Sequence, residues 1–393
     1  MEWFALLLPL VILVVSKVLF PHKITAFEAI APMAVIFLLI LLLKFAFFSY
    51  STYDIQYKDC YVVSVDYYEE WDEWIQKTCQ RQIKDSKGNV VSVQYYDCSY
   101  RSYHAPEYIA NLSNGSSINV GEDYWRKVQA KWNNVQFKDL NRDYYRIDGD
   151  KYSVSWTNDL ALLERYTYQF NYENRLQCNS SLFSKVETEE SENSFDYPSF
   201  KSAFNYPSVI GSGPQINQAN IELSNFNAIN NLRLNCRVWL LVFDEGNIND
   251  GYLQEKHWQG GNQNELVFCI GLSDSKPKWI YSFCWSPDGY AGNEVIKINV
   301  RNWFLRQDSI DLVDLVNQIT SNMTRWKAKP LEELEYIPVY LSGSQLFFIY
   351  FVAIVSSVIS IVIGINNKWN HLDELAFLMN IWNKIKKKFK GFF

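Results

Sequence analysis

The chain of 393 residues has room for two or three domains, and 48% of it is hydrophobic, with 26 Tyr and 14 Trp. Its net charge of −6 is the balance of +4 from Asn366 onward, +1 over residues 1–49 and −11 between them. An acidic, aromatic surface of that kind repels phosphate backbones, which excludes nucleic acid as an expected partner.

The first 49 residues hold two apolar runs. Residues 3–20 are interrupted only by Ser16 and Lys17, and residues 30–48 only by Lys44. Each approaches the roughly 20 residues that cross a bilayer core, so two transmembrane helices are expected, with Lys17 and Lys44 reaching toward headgroups. The first run lacks a basic start and a small-residue cleavage site, so it reads as a retained span.

Residues 50–182 are rich in Tyr and Trp and alternate as strands do, which predicts a mostly antiparallel β module. The exception is VGEDYWRKVQAKW, a helix with Tyr124, Val128 and Trp132 on one stripe. Asp148-Gly149 predicts a tight hairpin turn. The acidic run Glu69, Glu70, Asp72 and Glu73 reads as a solvated face rather than an acid/base pair. Cys79 and Cys98 flank a Lys-Gly-Asn turn. A hairpin about residues 86–89 pairs residues whose numbers sum to about 175, which leaves these cysteines at most one rung apart and within disulfide reach. Two core thiols or a metal pair are the alternatives, and a metal would need further ligands. All seven cysteines lie between residues 60 and 284, in the segment expected outside the cytoplasm.

Residues 183–213 are acidic, polar and punctuated by Pro and Gly, and predict a linker or long loop. From 214 to 343 the period changes. A helix is expected with Ile221, Phe226, Ile229 and Leu232 on one face, followed by the buried strand CRVWLLVF. A helix over 249–258, two strands in ELVFCIGL and KWIYSFCW, and a helix bearing Ile310, Val313, Val316 and Ile319 complete an α/β unit. The two strands should pair residues summing to 550, which leaves Cys269 and Cys284 out of register as core thiols.

Residues 346–365 carry no charge and predict a third span. The tail 366–393 reads as an amphipathic basic cytoplasmic helix on the membrane surface. Trp382 and Phe389 lie on its apolar stripe, and Lys384, Lys386, Lys387, Lys388 and Lys390 lie near its end. That lysine cluster places the C-terminus in the cytoplasm by the positive-inside bias. Three spans then put the N-terminus and residues 50–343 outside a bacterial inner membrane.

The order of elements over residues 214–326 resembles the TPM domain, a family of membrane-anchored ectodomains. VWLLVF matches its first buried strand. Gln263, Asn264 and Glu265 stand where the family usually has Asp-Asn-Gly before its second strand. The N-terminal part resembles membrane proteins encoded in bacterial and phage genomes. The TPM resemblance implies a metal-dependent phosphohydrolase holding Ca²⁺ or Mg²⁺ through Asp244, Glu245, Asn262, Asn264 and Glu265 near the ends of buried strands. Against it, no recognised catalytic motif is present. There is no His-Glu-x-x-His and no Gly-x-Ser-x-Gly, and Gly211-Ser-Gly213 lacks the context of a dinucleotide loop. Residues 244–251 fail the ligand positions of a calcium loop. His104 and His257 read as structural. The fold class expected is therefore a membrane protein with three transmembrane helices and an α+β ectodomain. The favoured function is a membrane-tethered binding or assembly protein that contacts the lipid bilayer and a protein partner outside the cytoplasm.

Overall fold

A computed structural model describes residues 2–20, 24, 27–88, 90–156, 164–175, 194–285, 291–328, 330, 341 and 343–365. The tail expected as an amphipathic helix, with Trp382, Phe389 and its lysines, lies outside the described residues, as does Cys178. The chain divides into two units, one of Met1–Asp54, Tyr172–Ser184 and Leu331–Phe393, the other of Ile55–Asn171 and Lys185–Pro330.

In the first unit a 3-10 turn (Glu2–Leu6) leads into α1 (Leu7–Leu19). It is joined by α2 (Phe27–Ser51) and by α8 (Gly343–Ile365) near the other end of the chain. Stretches of 18, 23 and 23 residues here are long and apolar enough to cross a membrane. At 1.5 Å per residue the longer two reach roughly 34 Å, against about 30 Å of hydrocarbon. Ala5, Ile36, Ile40, Ile349 and Ala353 are buried where the helices meet. Small residues there let backbones approach. Val18, Phe45 and Phe347 point outward with exposures of 77%, 74% and 72%, an apolar exterior that water-soluble bundles avoid. The two lysines expected to reach for headgroups find protein partners instead: Lys44 pairs with Glu2, and Lys17 Nζ donates to the Ile24 carbonyl at 2.9 Å.

The second unit contains two main sheets. The first centres on β1 (Tyr53–Tyr68), a 16-residue strand. Its second half pairs antiparallel on one side with β6 (Glu107–Leu112) and on the other with β9 (Lys151–Ser155). Outer strands are β7 (Ser117–Asn119), β8 (Val135–Lys138), β10 (Arg165–Glu173) and β11 (Ser202–Phe204). The helix α3 (Glu122–Trp132) lays Trp125 and Val128 onto Cys60, Val62, Val65, Ala110 and Val154. Tyr124 and Trp132, expected on the buried stripe, are only half-buried at its margin.

Between β1 and β6 the chain makes a long ribbon of β2 (Trp71–Ile75), β3 (Thr78–Lys84), β4 (Val90–Asp97) and β5 (Tyr100–His104). The expected hairpin between 143 and 156 does not form. Its first strand is replaced by a segment that braces this ribbon: Asp72 N donates to the Ile147 carbonyl at 3.0 Å and Tyr145 N to the Asp72 carbonyl at 2.6 Å. Gly149 turns there at φ +67°, and a Cβ would lie 2.7 Å from Trp71 Cβ. A close approach, rather than a two-residue turn, is what demands the glycine.

The second sheet has the order β12 (Val209–Gly211), β13 (Arg237–Asp244), β14 (Glu265–Ser273), β15 (Lys276–Cys284). The first three strands are parallel and the last is antiparallel. The helix α4 (Ile216–Leu234) connects β12 to β13, and α5 (Ile248–His257) connects β13 to β14. With α4, the helices α6 (Ala291–Phe304) and α7 (Leu312–Asn322) bury Val238, Leu240, Val242, Phe268 and Ile270 on one face. On the other face, the segment around Phe195, Tyr197 and Tyr206 and the end of α5 cover Trp239, Leu241, Phe243 and Val267.

Two expectations change here. Residues 194–213, expected within a linker, supply β11 to one sheet and β12 to the other. The β module and the α/β part, expected as separate domains, form one unit. The helix α4 is also rotated from the face expected of it. Ile221, Ile229 and Leu232 are exposed, while Ala219, Leu223, Asn227 and Asn231 face inward. The cause is hydrogen bonding. Val238 N donates to Asn227 Oδ1 at 3.0 Å, and Asn227 Nδ2 donates to the Val238 carbonyl at 2.9 Å. One amide thereby completes the edge of β13 where three-residue β12 does not reach.

Candidate functional site

The five residues expected to hold a metal do not converge. Asp244 ends β13 and Glu245 follows it, whereas Asn262, Asn264 and Glu265 precede or open β14. In the parallel register Arg237 stands opposite Glu265 and Asp244 opposite Leu272. The two groups are therefore at opposite ends of the sheet, separated by roughly 23 Å at about 3.3 Å per residue. Glu245 accepts from Ser273 Oγ at 2.8 Å. At the other end, buried Glu265 accepts from Tyr197 OH at 2.6 Å and from Asn262 Nδ2 at 3.3 Å. These are structural engagements. Among the described residues one group of acids stands close enough to share a cation, Asp139, Asp148 and Asp150, and none of the expected five belongs to it.

Burial pushes the Glu265 carboxyl above the usual carboxylate range, against the hydrogen bonds from Tyr197 and Asn262 and the nearby Arg237 that favour its ionised form. A raised folded pKa means the folded state holds the proton more tightly. Its stabilising contribution is then present below the ordinary value of 4.5 and is lost as pH rises through the raised value. Glu265→Gln keeps the shape without ionising. Its urea midpoint relative to the parent is expected to rise as pH increases from the ordinary carboxylate value, and a pH-independent difference would refute this.

The remaining chemistry of the sequence is also taken up by packing. His104 stacks on Trp71 with centroids 4.2 Å apart and hydrogen-bonds Glu73 at 3.1 Å, while His257 meets Asp196 at 3.1 Å. Asp72, read as part of a solvated acidic face, is fully buried and ion-paired to Arg101 at 2.5 Å. Cys269 lies opposite Tyr281 and Cys284 opposite Leu266, the 550 register expected, so the two thiols do not pair. Burial pushes the Cys60 thiol up to about 12 and those of Cys236 and Cys269 well above the ordinary thiol range, which makes them inert.

The ribbon is different. Its pairs run from Trp71–His104 through Ile75–Tyr100 and Thr78–Asp97 to Ile83–Ser92, all in one register. From Trp71 to Lys84 it extends up to roughly 43 Å. The proximal ladder is braced by Tyr145, which stacks on Trp74 at 5.3 Å. Among the described residues, the distal strands β3 and β4 pair only with each other. Every side chain of β4 is exposed, with Val91 at 67% and Tyr95 at 68%. Ile83, Val90, Val93 and Tyr96 are exposed as well. A lone two-stranded hairpin is marginal in water. Here Cys79 and Cys98 form a disulfide at its base, with Cα atoms 5.7 Å apart. Residues 77–98 carry four cations against two acids, in a chain that is otherwise strongly acidic between its apolar helices.

No protein-family model, curated protein or solved structure matches this chain. The candidate site is thus the arm itself. The sequence located its distal hairpin and its disulfide. It did not reveal that WDEWI and YRSYH continue the same ladder, although their residue numbers share the 175 sum.

Proposed function

We propose that this chain is a membrane-tethered binding or assembly protein. Three spans hold it in a bacterial inner membrane, and an extracytoplasmic domain reaches a protein partner through the arm of residues 71–104. The observation that carries this reading is the distal hairpin. It spends a disulfide on keeping ordered a two-stranded element whose apolar side chains all face water. Exposed apolar strands with free edges invite strand addition by another chain, and natural proteins cover or charge them unless they serve recognition. The distal hairpin's positive charge suits a partner with an apolar surface flanked by acids. The disulfide supports an extracytoplasmic ectodomain, and the lysines of the tail support a cytoplasmic C-terminus. The order α4, β13, α5, β14, β15, α6, α7 supports a TPM-like α/β part. Among the described residues, the five ligands of the phosphohydrolase reading do not converge.

The test is a photo-cross-linking amino acid placed at Val91 or Tyr95 of the full-length protein in cells, with Tyr252 on α5 as an exposed control. Discrete adducts from the arm positions, absent at Tyr252 and lost in a Val93→Asp variant, are expected. No adduct from the arm, or the same adducts from all three positions, would overturn the proposal. An adduct of twice the chain mass would make the partner a second copy.

A further inference from the structure

At the carboxyl end of β13 the chain turns through Glu245 and Gly246, with φ of +57° and +68°, into α5. A cavity of about 380 Å³ opens beside this turn, walled by Ile248, Trp279, Ile280, Leu305, Lys278 and Arg301. Two of these walls have a specific cause. β15 bulges here: Trp279 stands opposite Gly271 and Pro277 opposite Leu272, which leaves Lys278 without a cross-strand partner. A bulge re-aims the side chain it carries, and this one brings Lys278 to the cavity. The Trp279 indole lies across Gly271, where a Cβ would come 2.0 Å from its Nε1, and donates to the Glu245 carbonyl at 3.0 Å. The apolar floor is thereby held rigid.

The charged side chains that line the cavity are both cations, Lys278 and Arg301. Among the described residues neither Lys278 nor Arg301 has an ion pair. The acids nearby keep their charge but have other donors, Asp250 the Asn247 amide at 2.8 Å and Glu245 the Ser273 hydroxyl. The helix amides of α5 are not open to a ligand, because Asn247 and Asp250 close a capping box over them. That removes the feature by which helix starts hold phosphate. What remains is two cations above an apolar floor, at the strand end where open α/β sheets commonly bind ligands.

We infer that this cavity is a binding site for a small organic monoanion, a carboxylate whose apolar body rests on Trp279 and Ile280 and whose charge meets Lys278 and Arg301. The site is independent of the arm and of any partner bound there.

The experiment uses full-length protein in lipid nanodiscs and 4-(trifluoromethyl)benzoate, followed by fluorine NMR line broadening. The neutral amide, 4-(trifluoromethyl)benzamide, is the matched control. Saturable binding of the acid is expected, with the amide about tenfold weaker, as loss of one charge-assisted contact implies. Lys278→Gln and Arg301→Gln should each weaken the acid about tenfold, and exposed Lys276→Gln should leave it unchanged. Both substituted side chains are exposed, so circular dichroism should match the parent. Equal affinity for acid and amide, insensitivity to both substitutions, or no saturable binding of the acid would each overturn the assignment.

Discussion

Replacing Arg237 by methionine is expected to destabilise the unit formed by residues 55–171 and 185–330 by roughly 3–5 kcal/mol. Arg237 opens β13 and is completely buried. Its Nη1 donates to Asp59 on β1, its Nη2 donates to the Pro207 carbonyl at 3.2 Å, and its guanidinium lies 4.0 Å from the Trp239 ring centroid. Asp59 also accepts from Thr167 Oγ at 2.7 Å. The pair therefore ties the antiparallel sheet to the parallel one. Removing the arginine alone leaves the Asp59 carboxylate buried without its counter-charge, which costs more than the pair itself contributes. In urea unfolding of the full-length protein followed by tryptophan fluorescence, the main transition should shift accordingly, with Tm lower by on the order of 10 °C. Asp59→Leu combined with Arg237→Met should recover most of the loss, because no lone charge remains. A single variant within about 1 kcal/mol of the parent, or a double variant as unstable as the single, would contradict this account.

Removing the Cys79–Cys98 disulfide is expected to act locally and strongly. The sequence separation is 19 residues. Closing a loop of that size constrains the open hairpin by about 3 kcal/mol on the chain-entropy estimate, more than a hundredfold in the opening equilibrium. The distal strands have no other ladder to hold them, so a Cys79→Ala, Cys98→Ala protein should lose amide-exchange protection over 78–84 and 90–97. Protection in β13 and β14 should persist, since the parallel sheet draws nothing from the arm. Cross-linking from Val91 should fall in parallel. Unchanged protection in the arm would show that the ribbon is self-sufficient. Loss across both sheets would show that the disulfide supports the whole unit.

Local sequence carried more information than its letters suggest. The register of the arm's distal hairpin and that of β14 with β15 were both legible, because a short turn between two strands leaves little freedom in which residues face each other. The three apolar helices were legible from length alone. Site geometry was not. Asp244 and Glu265 are near in sequence and sit at the ends of adjacent strands, yet a parallel pair requires a crossover that returns the chain to the starting end. Nearness in sequence therefore became distance in space. Asn227 shows the same limit on a helix: its inward position follows from an unpaired edge of β13, and periodicity of apolar residues ranks it as solvent-facing.

The sequence by itself determined the apolar helices, the hairpins of β3 with β4 and β14 with β15, and the disulfide, because each is set by interactions within a few dozen residues. Only the tertiary structure decided that residues 194–213 supply strands to two sheets, that Arg237 meets Asp59 across 178 residues, and that Lys278 and Arg301 share a cavity. Those outcomes depend on which buried polar group finds a partner. That choice is made by the packed core as a whole, where leaving a charge or an amide unmatched costs more than turning a helix or pairing a loop.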